Sequence, residues 1–325
     1  MKRIFAVIIL IMLSVSLLSC NSGGFLTEVT DIRLYDGDIK AAEKEISAFI
    51  KEFEQKVSVN IKDSDVSKLN SAKAGIEIEV SPYIIDMINI SKAVYDETGG
   101  AFNPCIYPVL SLYDFKKGTV PSDEEIDALL PYIDIDDLTV KGNYIIKKYN
   151  QMQIDFGGIA KGYATDKCVE IAKRHGITSG IIDIGRNIYL IGGKITNGTR
   201  APFVVGITNP RDGYLFGKIN LSDMSAVTSG DYERYFIKDG VRYCHIVDGQ
   251  TGKRPDSDLI SVTVFGENST LCDAYSTALF VMGMEKAVEF ANANGLKVLL
   301  INENKKYCKS KGLNIYDIDG AYVNL

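Results

Sequence analysis

Asp155-Phe156-Gly157-Gly158-Ile159-Ala160-Lys161-Gly162-Tyr163 is the point at which the chain changes period. Before it, Tyr144-Ile145-Ile146 and the stretch from Gln151 to Phe156 alternate as strands do. After it, Ala160, Ala164, Cys168 and Ile171 follow helical spacing, and Lys173, Arg174, His175 and Gly176 close that helix with basic residues and a glycine cap. The segment therefore reads as strand, tight turn, helix. Paired glycines let a ligand approach the backbone, and the helix start directs amide groups at it. Lys161 opposes the helix dipole there, so it suits a bound anion. A plain strand-to-helix turn with a solvent-facing lysine also fits. The spacing matches neither GxxxxGK[ST] nor GxGxxG.

Outward from this turn, Ile46, Phe49, Ile50 and Phe53 form one stripe of a helix over about 38–56. Ser81-Pro82 starts a second helix that stops before Gly99-Gly100. Ser122 and Glu125 have capping-box spacing ahead of Ile126, Leu129 and Leu130. Strands are expected at 180–184, 188–191, 202–208, 215–220, 233–238, 241–247 and 259–265. A helix over 272–282 ends at Gly283, another covers 285–294, and a strand at 297–301 closes the fold. Strands and helices mix without βαβ alternation, which is the α+β class.

Lys2 and Arg3 precede an apolar run that ends at Leu17-Leu18-Ser19-Cys20. This order reads as an export signal over 1–19, too short for an ordinary spanning helix. The cysteine points to lipoprotein processing, with lipid on Cys20, a tether over 20–30 and a folded domain over 31–325. An ordinary signal peptide and a retained anchor are the alternatives. The chain has 36 Lys and Arg against 42 Asp and Glu, a net charge of −6. That balance argues against nucleic acid, whose binding rests on cationic contacts to phosphate. It leaves room for a phosphorylated small ligand held by a metal ion and backbone amides. Cys105, Cys168, Cys244, Cys272 and Cys308 are widely spaced and read as buried thiols rather than a disulfide framework or zinc site.

Three other places carry chemistry-bearing residues. Asp273 and Thr277, four apart, share a helix side, and with a carbonyl such as that of Ala160 they form an oxygen set suited to magnesium. Asp273 also fits an N-cap, with Thr277 merely packed. His245, ahead of Asp248 and the turn Gly249-Gln250-Thr251-Gly252, is a candidate base, and a structural histidine is the alternative. Thr228 to Tyr235 reads as a binding loop entering a strand, in which Glu233 and Arg234 equally fit a surface pair. His175 reads as a helix-end residue.

Taken in order, these segments resemble the ApbE family of flavin transferases. Thr98-Gly99-Gly100-Ala101-Phe102-Asn103-Pro104 is similar to its early flavin-site segment, and 155–162 to its DxGGxxKG block. Ala226 to Arg234 is similar to its TSGxYER block, His245-Ile246-Val247-Asp248 with Thr251-Gly252 to its HIxD…TG block, and Asp273 to Ala278 to its metal block. The resemblance implies one compact α+β domain, related to the T-fold, with two interleaved lobes and the flavin site between them. It implies FAD contacts at Asn60, Ala101, Phe102, Asn103, Asp155, Lys161, Ser229, His245 and Ile246. The metal ligands it implies are the Ala160 carbonyl, Asp273 and Thr277, with Asp273 and His245 catalytic.

The activity so implied is magnesium-dependent transfer of FMN from FAD to a Thr or Ser hydroxyl of an acceptor protein, releasing AMP. A membrane-tethered enzyme facing the periplasm or extracytoplasmic side, serving a membrane redox complex or an exported flavoprotein, follows from the same resemblance. Three positions depart from the family pattern: Asn103 replaces the usual aspartate, Arg186 in Gly185-Arg186-Asn187 a glycine, and Asn60 an aromatic cover. A more open site leaves FAD hydrolysis to FMN and AMP as an alternative activity, and a non-catalytic flavin carrier as another.

Overall fold

Period-two patterning in the second half of the chain builds the frame. A computed structural model describes residue 26 and residues 29–196, 198–304 and 306–316. The strands are β1 (Thr30–Leu34), β2 (Ile78–Glu79), β3 (Leu138–Lys141), β4 (Tyr144–Lys147), β5 (Ser179–Ile184), β6 (Asn187–Gly192), β7 (Lys194–Thr196) and β8 (Thr199–Ala201). They continue with β9 (Phe203–Thr208), β10 (Leu215–Leu221), β11 (Met224–Gly230), β12 (Tyr235–Lys238), β13 (Val241–Cys244), β14 (Leu259–Gly266), β15 (Lys297–Asn302) and β16 (Tyr307–Lys309). The α-helices are α1 (Ile39–Val57), α2 (Asp65–Ser71), α3 (Pro82–Glu97), α4 (Tyr107–Leu110), α5 (Asp123–Asp127), α6 (Ala160–Arg174), α7 (Ser269–Met282) and α8 (Met284–Ala293).

A seven-stranded sheet runs in the order β1-β5-β6-β11-β14-β15-β16, antiparallel at every pairing. Alternation along each strand sends side chains to opposite faces. Ile182, Ile184, Tyr189 and Ile191 join the buried stripes of α1 and α6 on one face. Further along that face, Val262, Val264, Val298 and Leu300 pack with α7 and α8. Ile181, Ile188, Leu190, Phe265 and Leu299 face the other way, under Phe203, Ile219 and Leu221 of the β9–β10 hairpin. Burial on both faces stabilises the sheet at roughly 25 cal/mol per Å² of apolar surface removed from water.

The helices end where their sequences say. Asp38 accepts the Ala41 N–H at the start of α1. The Ser122–Glu125 capping box forms in both directions at α5. Pro82 occupies the first turn of α3. His175 caps α6, pairing with Glu45, and Gly176 takes the left-handed conformation that follows.

The lobes interleave within one domain. Val247, from the chain's second half, packs with Val109, Tyr113, Ile126 and Ile133 of the first. Ala101, Tyr275 and Met282 pack against both helix-side cores.

Four expectations change. Leu26 is fully buried, its N–H donates to Glu54 at 2.7 Å, and β1 opens at Thr30, so the folded unit extends upstream of residue 31. Cys20, the expected lipid site, and the 1–19 signal lie outside the described residues. Gln151 to Phe156 is not a strand, because Asn70 bonds both N–H and C=O of Ile154 and the Pro104 carbonyl takes the Asp155 N–H. Thr228-Ser229-Gly230 belongs to β11, at the centre of the sheet, rather than to a loop. Its small residues Ser225, Ala226, Thr228 and Ser229 give little apolar alternation to read. Finally, α7 begins three residues earlier than expected, capped by Asn268, so Asp273 lies inside the helix and is no N-cap.

Candidate active site

The site forms where α6 and α7 touch, and glycine permits the contact. A Cβ built on Gly162 would sit 2.3 Å from the Ser269 carbonyl oxygen and 2.8 Å from the Asp273 Cβ. Only hydrogen at this position lets the helices close. Each helix then caps the other. Asp273 Oδ2 accepts the Gly162 N–H of α6 at 2.9 Å. Asp166 of α6 accepts the Ser269 and Thr270 N–H groups of α7, each at 2.8 Å. Such cross-helix caps satisfy amides that lack intrahelical partners. They also fix Asp273, which is 2% exposed, against the start of α6. One amide expected to face a ligand is therefore used by Asp273.

Lys161 reaches back over the same turn. Its Nζ donates to the Gly157 carbonyl at 3.0 Å and lies 3.8 Å from Asp273 Oδ1. The side chain is largely buried rather than solvent-facing. Asp155 Oδ1 accepts the Gly157 N–H at 2.7 Å. Gly158 is tightly lined: a Cβ there would lie 3.1 Å from Phe102 Cε2 and 3.2 Å from Thr277 Oγ1. The turn thus brings Phe102 and Thr277 together, and Ala160, the first residue of α6, is buried.

The charges of this cluster are unevenly matched. Burial raises the Asp273 pKa, against the lowering effects of Lys161 and the Gly162 N–H. Burial raises Asp155 as well, opposed by the Gly157 N–H, Lys161 and Arg234. It lowers His245 to about 4, helped by the positive charges of Lys161 and Arg234. His245 is therefore neutral near pH 7, and two cations share its surroundings. Its backbone N–H donates to the Arg234 carbonyl at 3.0 Å, continuing the β12–β13 ladder by one step. Its Nδ1 is sealed from solvent with no hydrogen-bond partner among the described residues. Perturbed groups gathered around one cation make this cluster a candidate functional site.

The remaining expected residues divide. Asn103 is buried, and its amide is occupied: Nδ2 donates to the Ile133 and Gly249 carbonyls at 3.0 Å each, and Oδ1 accepts the Cys105 N–H at 2.9 Å. An aspartate could not make the first two bonds, so asparagine here ties 100–103 to the Gly249 turn. That turn is equally close-packed, since a Cβ on Gly249 would lie 2.3 Å from the Gly100 oxygen. Ile246 is buried beside His245. Ser229 Oγ hydrogen-bonds Ser276 Oγ at 2.7 Å, which binds β11 to α7 behind Asp273. Asn60 stands exposed in the loop after α1, and among the described residues no hydrogen bond ties its side chain to the cluster. A cleft of about 510 Å³ borders Thr98, Ala101, Asp248 and Met282, yet Asp155, Lys161, His245 and Asp273 are not among its walls. The charged cluster is a separate, tighter place.

Several contributors are silent in the sequence. Glu233 pairs with Arg186 rather than with its neighbour Arg234, which lies over the Phe115 ring. The role of Asp166 depends on the helix crossing, and no local signal precedes it. Four of the cysteines are buried free thiols, and Cys308 is partly exposed and free.

Known proteins resemble this chain in sequence and fold. The ApbE family model matches residues 26–300. An FAD:protein FMN transferase of Vibrio cholerae serotype O1 is 31% identical over 270 residues, 81% of this chain and 80% of that protein. One from Treponema pallidum is 30% identical over 318 residues, 90% of this chain and 87% of that protein. The crystal structure of Pseudomonas stutzeri flavinyl transferase ApbE, in its apo form, superposes with a TM-score of 0.78 at 29% identity, covering 87% of this chain and 91% of that one. With the matched segment running through every part of the cluster from Phe102 to Thr277, this chain belongs to the ApbE family.

Proposed function

We propose that this chain is an FAD:protein FMN transferase that moves FMN from FAD to a Thr or Ser hydroxyl of an acceptor protein. The observation that carries the reading is the Gly162-dependent helix contact, which sets Lys161 against Asp273 in the same cluster as neutral His245. The names of the Vibrio and Treponema relatives support the reaction. In it, the acceptor oxygen attacks the FMN-side phosphorus of the pyrophosphate. The bond from that phosphorus to the bridging oxygen breaks, and AMP leaves. His245 takes the hydroxyl proton, for which a neutral imidazole is required. Lys161 offsets charge on the phosphate oxygens, and Asp155 with Phe102 confines the flavin end. The work is positioning and electrostatics.

Magnesium fits the residues present. Asp273 is a buried carboxylate whose pKa is raised by burial, with the Lys161 ammonium 3.8 Å away, and Thr277 offers a hydroxyl one turn along. With the Ala160 carbonyl these are hard oxygen donors of the kind the ion prefers. Among the described residues no group of three or more His, Cys, Asp or Glu is gathered, so phosphate and water oxygens would complete the shell. When bound, the ion supplies Lewis-acid neutralisation of the pyrophosphate.

Exposed Asn60 favours a second reading, in which water enters and FAD is hydrolysed to FMN and AMP. The N-terminal order of Lys2, Arg3, apolar run and Cys20 supports a lipid-anchored, extracytoplasmic setting, where the acceptor is an exported flavoprotein or membrane redox subunit. The test is to incubate the purified protein with FAD, magnesium and such an acceptor, following AMP and the acceptor's mass. AMP with covalent FMN on the acceptor is the expected result. Equal AMP and free FMN with the acceptor unmodified would favour hydrolysis, and intact FAD would remove both enzyme readings.

A further inference from the structure

We propose that Lys147 and Asn70 form a brace that positions Asp155 for the flavin substrate, although neither touches it. The inference rests on the reading of the cluster as an FAD site. Lys147 ends β4 on the buried side of that strand, with Ile145, and is 1% exposed. Burying an ammonium is costly unless hydrogen bonds replace the water it loses. Here its Nζ donates to the Asn70 and Met152 carbonyls, each at 2.9 Å, and to the Asn150 carbonyl at 3.4 Å. All three acceptors are main-chain oxygens, and burial lowers the pKa of the ammonium. Asn70 lies in the last turn of α2, where carbonyls lack intrahelical partners and a cation is favoured. One lysine therefore ties the end of α2 to the turn that follows β4. Two further bonds join the same segments: Ala74 N–H to Asn150 Oδ1 at 2.8 Å, and Gly75 N–H to the Lys147 carbonyl at 2.9 Å.

The Asn70 side chain extends the brace. Its Oδ1 accepts the Ile154 N–H at 2.8 Å and its Nδ2 donates to the Ile154 carbonyl at 2.9 Å, the two bonds a neighbouring strand would supply. Asp155 comes next. Its N–H donates to the Pro104 carbonyl at 3.0 Å, and its Oδ1 accepts the Gly157 N–H at 2.7 Å. Hydrogen bonds thus run without a gap from Lys147 through Asn70 and Ile154 to the Asp155 turn. The Pro104 bond sets that turn against the segment carrying Phe102. Methionine has the length of lysine without its donors. In its place three carbonyls would lose their partner, and 150–155 would be free to shift.

The experiment titrates FAD into the full chain with magnesium and no acceptor, reading the dissociation constant by flavin fluorescence and the melting temperature alongside. Asn70→Ala removes both bonds to Ile154 and leaves the Lys147 acceptors in place, so FAD affinity is expected to fall about tenfold. Lys147→Met is expected to lose at least as much. In an Asp155→Ala background each replacement is expected to change affinity less than twofold, because residues that act through one another are not additive. Unchanged affinity in N70A overturns the proposal, whatever happens to the melting temperature. A loss that persists undiminished in the D155A background also overturns it, since the brace would then serve packing and not Asp155. Should K147M fail to fold, N70A carries the test by itself. Failure of the unsubstituted protein to bind FAD would instead refute the site reading.

Discussion

The two walls of the site are built differently. On the α6–α7 wall three charged groups are tied down: Asp273 holds the Gly162 N–H, Lys161 holds the Gly157 carbonyl, and Asp166 caps the facing helix. On the wall formed by 231–248, His245 is fixed only through its backbone, and its Nδ1 lacks a partner among the described residues. Tyr235 and Ile237 of the neighbouring hairpin are exposed. Under the proposed function, the first wall would receive the phosphates and a cation. On the same reading, the second leaves His245 to be oriented by whatever binds there. That division suits a reaction in which one substrate is always FAD and the other is a protein surface.

Replacing Asp273 with Ala strikes the first wall hardest. Turnover is expected to fall by about a thousandfold or more, since charge stabilisation at the pyrophosphate accounts for several kcal/mol. The apolar flavin contacts should survive, so flavin fluorescence titration should still show binding. Unchanged turnover and magnesium titration would remove Asp273 from the site. Replacing His245 with Ala tests the other wall. Transfer measured by acceptor mass should fall by about 10² to 10⁴, the range for a positioned base, with FAD binding intact. Normal transfer in that variant would leave the base elsewhere.

A smaller effect separates the walls by stability. Gly162→Ala places a methyl against the Ser269 carbonyl, and overpacking of this kind costs about 1–3 kcal/mol. Thermal unfolding should show a lower melting temperature together with weakened metal response, because the same shift displaces Asp273. An unaltered melting temperature would mean that the helices can part without consequence.

The smallest effect is on pH. His245 has a folded pKa of about 4, below its ordinary value near 6.5. Between these values the unfolded chain binds the proton and the folded protein does not. The neutral ring's contribution to stability is thus complete above 6.5 and is lost as pH falls toward 4. The melting temperature of the unsubstituted protein should therefore drop more from pH 7 to pH 5 than that of His245→Gln. Identical drops would show that the ring titrates normally. Transfer assayed over the same range should keep its base through pH 5, where an unperturbed histidine would already be protonated.

Much of the fold was legible because its signals are local. The stripe of Ile46, Ile50 and Phe53, the Ser122–Glu125 box, and the Lys173 to Gly176 ending each act within a turn or two, and each is realised. β11 was not legible. A strand covered on both sides needs no polar alternation, and its small residues carry weak strand preference. The start of α7 was hidden for another reason: Asp166, more than a hundred residues earlier, supplies two of its caps. The candidate site was legible as a set of separate blocks. Which of their side chains meet a ligand was not, and Asn103 shows why: its amide is occupied by Ile133 and Gly249, neither of which neighbours it in sequence.

By itself, then, the sequence determined the α+β class, the helix ends, the order of the blocks and the family they resemble, since all of these follow from spacing along the chain. Only the tertiary structure decided that Gly162 is where two helices touch, that Asp273 faces Lys161, and that Arg186 holds Glu233 across a left-handed turn. Those contacts join residues tens to more than a hundred positions apart. The Lys161–Asp273 pair draws its strength from burial, which removes the water that would otherwise screen the charges, and burial is a property of the packed molecule.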